Sequence, residues 1–208
     1  MKGLLLKDLY MMAKYCKTYL LIAIVFTAIS FFGNDNLFLA FYPCILCGMI
    51  PVNLLAYDER SRWLQYSQTM PYSQAQTVSS KYLIGLGVQI SILIVTGIAQ
   101  GIRMRIAGIF DIKGYFAIMT LMLIISLLSS SICLPFMFKL GVEKGRMAYY
   151  VMIGVVCGGS VISSNFLKSG ISPNIQLNGI LYLVCFIGIG LYALSWYLSI
   201  VFYKKREI

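Results

Sequence analysis

The amino-acid sequence predicts an all-α, polytopic transmembrane helix bundle of about six spans, preceded by an N-terminal interfacial elbow helix. Three observations carry this reading. The 208 residues are 60% hydrophobic with a mean hydropathy of +0.83, more apolar surface than one soluble core of that length can hide. Only 12% of residues are charged, about half the usual share for a soluble protein. Those charges gather in short clusters, and the uncharged runs between them approach the roughly 20 residues that cross a hydrocarbon core of about 30 Å.

Residues 2 to 16 place Leu5, Leu9, Met12 and Cys16 at helical spacing, while Lys7, Lys14 and the following Lys17 gather on another face. That pattern predicts a helix lying in the membrane interface. Lys2, Lys7, Asp8 and Lys14 interrupt what would be the apolar centre of a signal peptide, so none is expected to be cleaved here. Uncharged runs follow at 18–33, 37–57, 82–100, 115–138, 147–165 and 179–203. They divide a single transmembrane domain, 1–208, into the elbow (1–17), spans one and two (18–57) and a loop (58–81). Spans three and four (82–138), a second loop (139–146), spans five and six (147–203) and a tail (204–208) complete it. The first span is short enough to borrow from the elbow, and the fourth and sixth are long enough to tilt.

Orientation follows from the basic residues. The N-terminal arm, the 58–81 loop, the 139–146 loop and the tail together hold thirteen Lys and Arg, against four (Arg103, Arg105, Lys113, Lys168) on the opposite side. Both termini are therefore expected in the cytoplasm. Tyr15, Tyr19, Trp196, Tyr197 and Tyr203 fall where amphipathic rings prefer the headgroup level.

Composition also narrows function. The net charge of +10 sits at the ends of apolar runs, where it meets anionic headgroups, so no nucleic-acid partner is expected. The six cysteines lie in or beside apolar segments and read as small core hydrophobes. Cys44 and Cys47 form a CxxC, but there is no second pair and no histidine to complete a metal site. The spans carry no Asp, Glu or His, which removes the usual proton relay. No Gly-Lys dipeptide occurs, so there is no P-loop. The chain itself is expected to have no ATPase or other catalytic residues and to carry no cofactor.

The largest hydrophilic break is 58–81. Asp58, Glu59, Arg62 and Trp63 leave the second span, Pro71 stops a helix, and Ser73 with Gln76 fits a capping box before Lys81. Two short helices joined at Pro71 are predicted, presenting polar and aromatic groups. A solvated connector is the plainer reading of such a loop. Asn53, Gln89, Ser130, Ser163 and Asn165 are polar positions within spans; they either line a path or hydrogen-bond neighbouring helices.

Four patches, in order, carry a resemblance. Lys2-Gly3-Leu4-Leu5-Leu6-Lys7-Asp8, the Asp58-Glu59 ending of span two, Met70-Pro71-Tyr72-Ser73 followed by Val78-Ser79-Ser80-Lys81-Tyr82, and Leu134-Pro135 through Gly145-Arg146 resemble the small ABC-2 type permeases of bacteria. The last third is similar only in hydropathy, and Gln74 stands where that family often has a basic residue. The resemblance implies a six-span half-transporter in the bacterial plasma membrane that forms a homo- or heterodimer, contacts lipid, and is driven by a separate ABC-type ATPase holding ATP and Mg. It implies that 58–81 supplies the coupling element, with Asp58, Glu59, Arg62, Trp63, Pro71, Tyr72, Ser73 and Lys81 shaping it. Lys139, Glu143, Lys144 and Arg146 would make a second cytoplasmic contact. With no charged pocket, an exported amphipathic or hydrophobic substrate, such as a peptide or lipid, is expected. An ion-coupled carrier or channel, or a non-transporting immunity or sensor component, stands as the alternative.

Overall fold

A computed structural model of the chain describes residues 2–32, 37–67, 69–70, 72–108, 111–142, 144–145, 147, 150–151, 154 and 177–205. These residues are helical throughout, with turns between: α1 (Lys2–Tyr15), α2 (Lys17–Phe32), α3 (Leu37–Gly48), α4 (Ile50–Arg60), α5 (Trp63–Ser67), α6 (Gln74–Ile106), α7 (Ile112–Leu140) and α8 (Leu177–Lys205). Among them, Phe41–Arg60, Gln74–Ile106, Gly114–Leu140 and Cys185–Lys205 are each long and apolar enough to cross a membrane. The pair α1–α2, bent by 65°, passes the same test jointly. The chain is thus a multi-pass membrane protein with four to five candidate spans among the described residues. The expected fifth span, 147–165, lies almost wholly outside them.

Each departure from the expected pattern has a local cause. Alone, α2 has 16 residues, about 24 Å at 1.5 Å per residue, which falls short of the hydrocarbon core. The second span is two helices in line, because Pro51 has no N–H to offer the carbonyl four residues back and the chain turns at Met49. The second short helix predicted after Pro71 is not separate. It is the opening of α6, whose 33 residues run about 50 Å.

The core has two centres. One gathers Val52 and Leu55 of α4, Val78 and Tyr82 of α6, Leu134, Met137 and Phe138 of α7, and Tyr192 and Tyr203 of α8. The other gathers Cys16, Ala23, Cys44, Cys47, Ile50, Leu54, Val88 and Met122. Cys16, Cys44, Cys47 and Cys133 are fully buried free thiols, packed as small hydrophobes. The aromatic residues expected at the headgroup level divide. Tyr197 is exposed, but Tyr203 is buried edge-on against Phe138, and Trp196 stacks on Tyr82 with centroids 5.6 Å apart.

Polar side chains join the helices. The Tyr82 hydroxyl lies 2.8 Å from Ser195 Oγ and 2.6 Å from Ser199 Oγ, Ser195 donates to the Ser131 carbonyl, and Tyr192 donates to the Tyr82 carbonyl. α6 is thereby fastened to α8, and α8 to α7. Between α3 and α7 the approach is closer still. A β-carbon on Gly48 would overlap the Ser129 hydroxyl and come within 2.8 Å of Ser129 Cβ. Gly48→Leu should therefore separate α3 from α7 and cost about 1–3 kcal/mol through overpacking, whereas Gly87→Ala, which meets no atom within 4 Å, should be neutral. Thermal loss of the monodisperse species in detergent checks the pair, and equal melting of the two variants would contradict the packing.

Candidate functional site

Four charged residues flanking the spans come together where α1, α4 and α6 meet. Lys7 and Asp8 come from α1, Asp58 from the last turn of α4, and Lys81 from the third turn of α6. Lys7 Nζ lies 3.0 Å from Asp8 Oδ1 and 2.8 Å from Asp58 Oδ1, while Lys81 Nζ lies 2.7 Å from Asp8 Oδ1 and 2.5 Å from Asp58 Oδ2. The four groups form a closed ring of alternating sign and zero net charge. Asp8, Asp58 and Lys81 are each 1% exposed at the side chain, and Lys7 is 21% exposed. The Ser80 hydroxyl adds a contact at 3.2 Å to Asp8 Oδ2.

Such a ring is costly to break, since removing one partner leaves an uncompensated buried charge at about 3–5 kcal/mol. Its topology matters as much. Asp58 and Lys81 are the two ends of the 58–81 loop, so both feet of that loop are fixed at one point and to adjacent residues of α1, Asp58 to Lys7 and Lys81 to Asp8. Tyr82, next along the chain, reaches instead into the Ser195–Ser199 pair of α8. Consecutive residues, about 100° apart around α6, therefore hold the helix to two different neighbours.

The loop is built up from these feet. At the end of α4, Arg62 adopts φ 54°, a left-handed conformation that costs a non-glycine residue about 1–2 kcal/mol. It is supported by Arg62 N donating to the Glu59 carbonyl and Ser61 Oγ donating to the Asp58 carbonyl. This reversal starts α5. Trp63 then covers the open side of the ring, with Lys7 Nζ 4.3 Å from its ring centroid, a cation–π contact of about 0.5–2 kcal/mol. The return of the loop leans on α1 at Gly3, where a β-carbon would come within 3.2 Å of the Tyr72 hydroxyl. Ser73 closes it with the expected capping box: Ser73 Oγ accepts from Gln76 N, and Gln76 Oε1 accepts from Ser73 N at 3.1 Å.

The 139–146 segment comes to the same place. Gly141, at φ 84°, ends α7, and Val142 N donates to Glu59 Oε2 at 2.8 Å. Lys139 stands over the Phe202 ring, and Lys144 is exposed. Of the residues expected to shape the loop, Arg62 and Ser73 are exposed, Trp63 and Tyr72 are half-buried, and Glu59 holds the second segment. Asp58 and Lys81 are spent on the internal ring. Pro71, Glu143, Arg146, Ser163 and Asn165 lie outside the described residues.

Among the polar span residues, Gln89 Nε2 donates to the Ser126 carbonyl at 2.9 Å and to Ser130 Oγ, and Asn53 is buried. Gln89 and Ser130 thus join α6 to α7 inside the subunit. Lys7 and Asp8 are expected only as part of the N-terminal patch, with Lys7 beside Lys14 and Lys17 on one face of an interfacial helix, yet Lys7 turns inward to Asp58. The available signal was charge balance: Asp8 is the single acid of the N-terminal arm, and Lys81 is the single cation between Arg62 and Arg103.

A family model described as "ABC-2 family transporter protein" matches residues 3–204, nearly the whole chain. The chain belongs to the ABC-2 transporter family. It is a membrane-embedded permease subunit of an ABC transporter, and the ion ring with the loop it anchors lies within the matched region. No curated protein and no solved structure gives a significant match to this permease.

The capping box gives a direct test of the permease's loop geometry. Ser73→Ala should cost about 1 kcal/mol at the helix start and accelerate amide exchange at residues 74–77 by several-fold, with 84–100 unaffected. Unchanged protection at 74–77 would contradict the cap.

Proposed function

We propose that this permease is worked from its cytoplasmic face by a separate ABC-type ATPase, which docks on the 58–81 loop and the adjoining 139–146 segment. The observation that carries the reading is the Glu59–Val142 contact at 2.8 Å, which sets the two segments side by side beneath the bundle. Together they offer a cationic and aromatic rim of Arg60, Arg62, Tyr66, Lys139 and Lys144, all exposed. A helix of five residues such as α5 is about 7.5 Å long. It is too small alone for the roughly 800 Å² per partner of a stable interface, so a second segment beside it supplies needed area. ATP and Mg belong to that partner.

In this reading the chain has six spans and an N-terminal elbow, both termini face the cytoplasm of a bacterial cell, and two copies or two related chains form the translocation unit. Closure of the ATPase around nucleotide moves the docked loop, and packed helices convert that movement into a tilt of whole spans. The spans carry no carboxylate or histidine, and the Gln89 amide N–H groups are taken up by Ser126 and Ser130 of the neighbouring helix. Spans without ionisable side chains suit an exported amphipathic or hydrophobic substrate such as a peptide or lipid.

Purification of the tagged chain from its native membranes is expected to bring an ABC-class ATPase with it. Replacing Pro71-Tyr72-Ser73 by three glycines should leave insertion intact while separating ATP hydrolysis from movement of the spans. Gradient-driven flux through the chain reconstituted alone would overturn the reading.

A further inference from the structure

We infer that Lys7 and Asp8 are positioning residues that make α1 part of the coupling machinery, so that a push on the 58–81 loop reaches the first membrane segment as well as spans two and three. The inference rests on the ATPase-driven reading but reaches a different part of the chain. α1 touches the loop at three successive places: Gly3 against Tyr72, Lys7 beneath Trp63, and the Lys7–Asp8 pair within the ring that holds Asp58 and Lys81. Contacts spaced over one and a half turns resist both sliding and rotation of a helix. A single surface ion pair would not do so, being of little consequence in water.

The other end of α1 is equally constrained. Cys16, at the bend, is fully buried, and backbone hydrogen bonds continue on both sides of it, from Cys16 N to the Met12 carbonyl and from Leu20 N to the Cys16 carbonyl. The 65° corner between α1 and α2 is thus a braced one. Displacement of the loop's feet carries α1 with them, and α1 carries the start of α2. The alternation of charge within the ring makes this connection selective. Lys7 and Asp8 can be removed together and leave Asp58 and Lys81 as a neutral pair 2.5 Å apart, whereas removing either alone leaves an uncompensated charge.

Amide hydrogen exchange of the purified complex, before and after trapping with ATP and vanadate, tests the inference. In the wild type, residues 2–15 and 63–67 should change protection together. Asp8→Asn should lower accumulation in the membrane by about fivefold or more, and the double variant K7M/D8N should recover it. In that double variant, trapping should still alter 63–67, while the response in 2–15 falls by at least about threefold. A response in 2–15 as large as that of the wild type would overturn the inference. So would a wild type in which 63–67 responds and 2–15 does not. A double variant that accumulates no better than Asp8→Asn would show that the four charges are not one balanced unit and overturn it as well. Absence of any ATPase from the wild-type preparation is a different result: it removes the drive and with it the lever, while the accumulation pattern still decides whether the ring exists.

Discussion

Four charges set close together at the edge of the apolar bundle determine how the rest of the chain is arranged. Lys7, Asp8, Asp58 and Lys81 come from three helices, and each lies within ion-pair distance of two groups of opposite sign. The desolvation of such groups is offset only when every member is present and well placed. The ring therefore specifies which helix ends meet, more than it adds net stability. Once the last turn of α4 and the third turn of α6 must meet at one point, the intervening segment has to turn back on itself, and α1 lies across its base.

The rest of the bundle keeps that junction in place without using charge. Tyr82 engages Ser195 and Ser199, Trp196 donates to Ser79, and Gln89 reaches α7. Each bond satisfies a polar group that lipid cannot. Lys81 and Tyr82 are adjacent, so the same turn of α6 is held by an ionic contact to α1 and α4 and by a hydroxyl network to α8.

Much of this was legible in the residues. The runs 37–57, 82–100, 115–138 and 179–203 each fall within described helix, apart from the turn at Met49, because backbone groups in lipid leave few alternatives to it. Ser73 and Gln76 announced the start of α6, because a capping box is a local device. Long-range pairing was not legible. The periodicity of α1 sets Leu5, Leu9 and Met12 along one apolar face, while the residues buried are Leu4 and Asp8. Leu5, Leu9 and Met12 instead border an apolar groove of about 700 Å³ with Leu20, Ile24 and Val88. Hydropathy cannot anticipate a buried carboxylate whose partner cations include one seventy-three positions away. For the same reason Asp58 and Lys81, conspicuous as loop residues, turn out to be engaged inside the subunit, and the outward rim falls to Arg60, Arg62 and Tyr66.

Distances between spin labels offer the most direct test of whether the ring binds α1 and the loop into one moving part. Tyr10 on α1, Gln65 on α5 and Tyr197 on α8 are exposed and accept labels. Measured in the complex without nucleotide and after trapping, the 10–65 distance should stay constant while the 65–197 distance changes. A 10–65 distance that shifts between the two states as much as the 65–197 distance does would contradict the account.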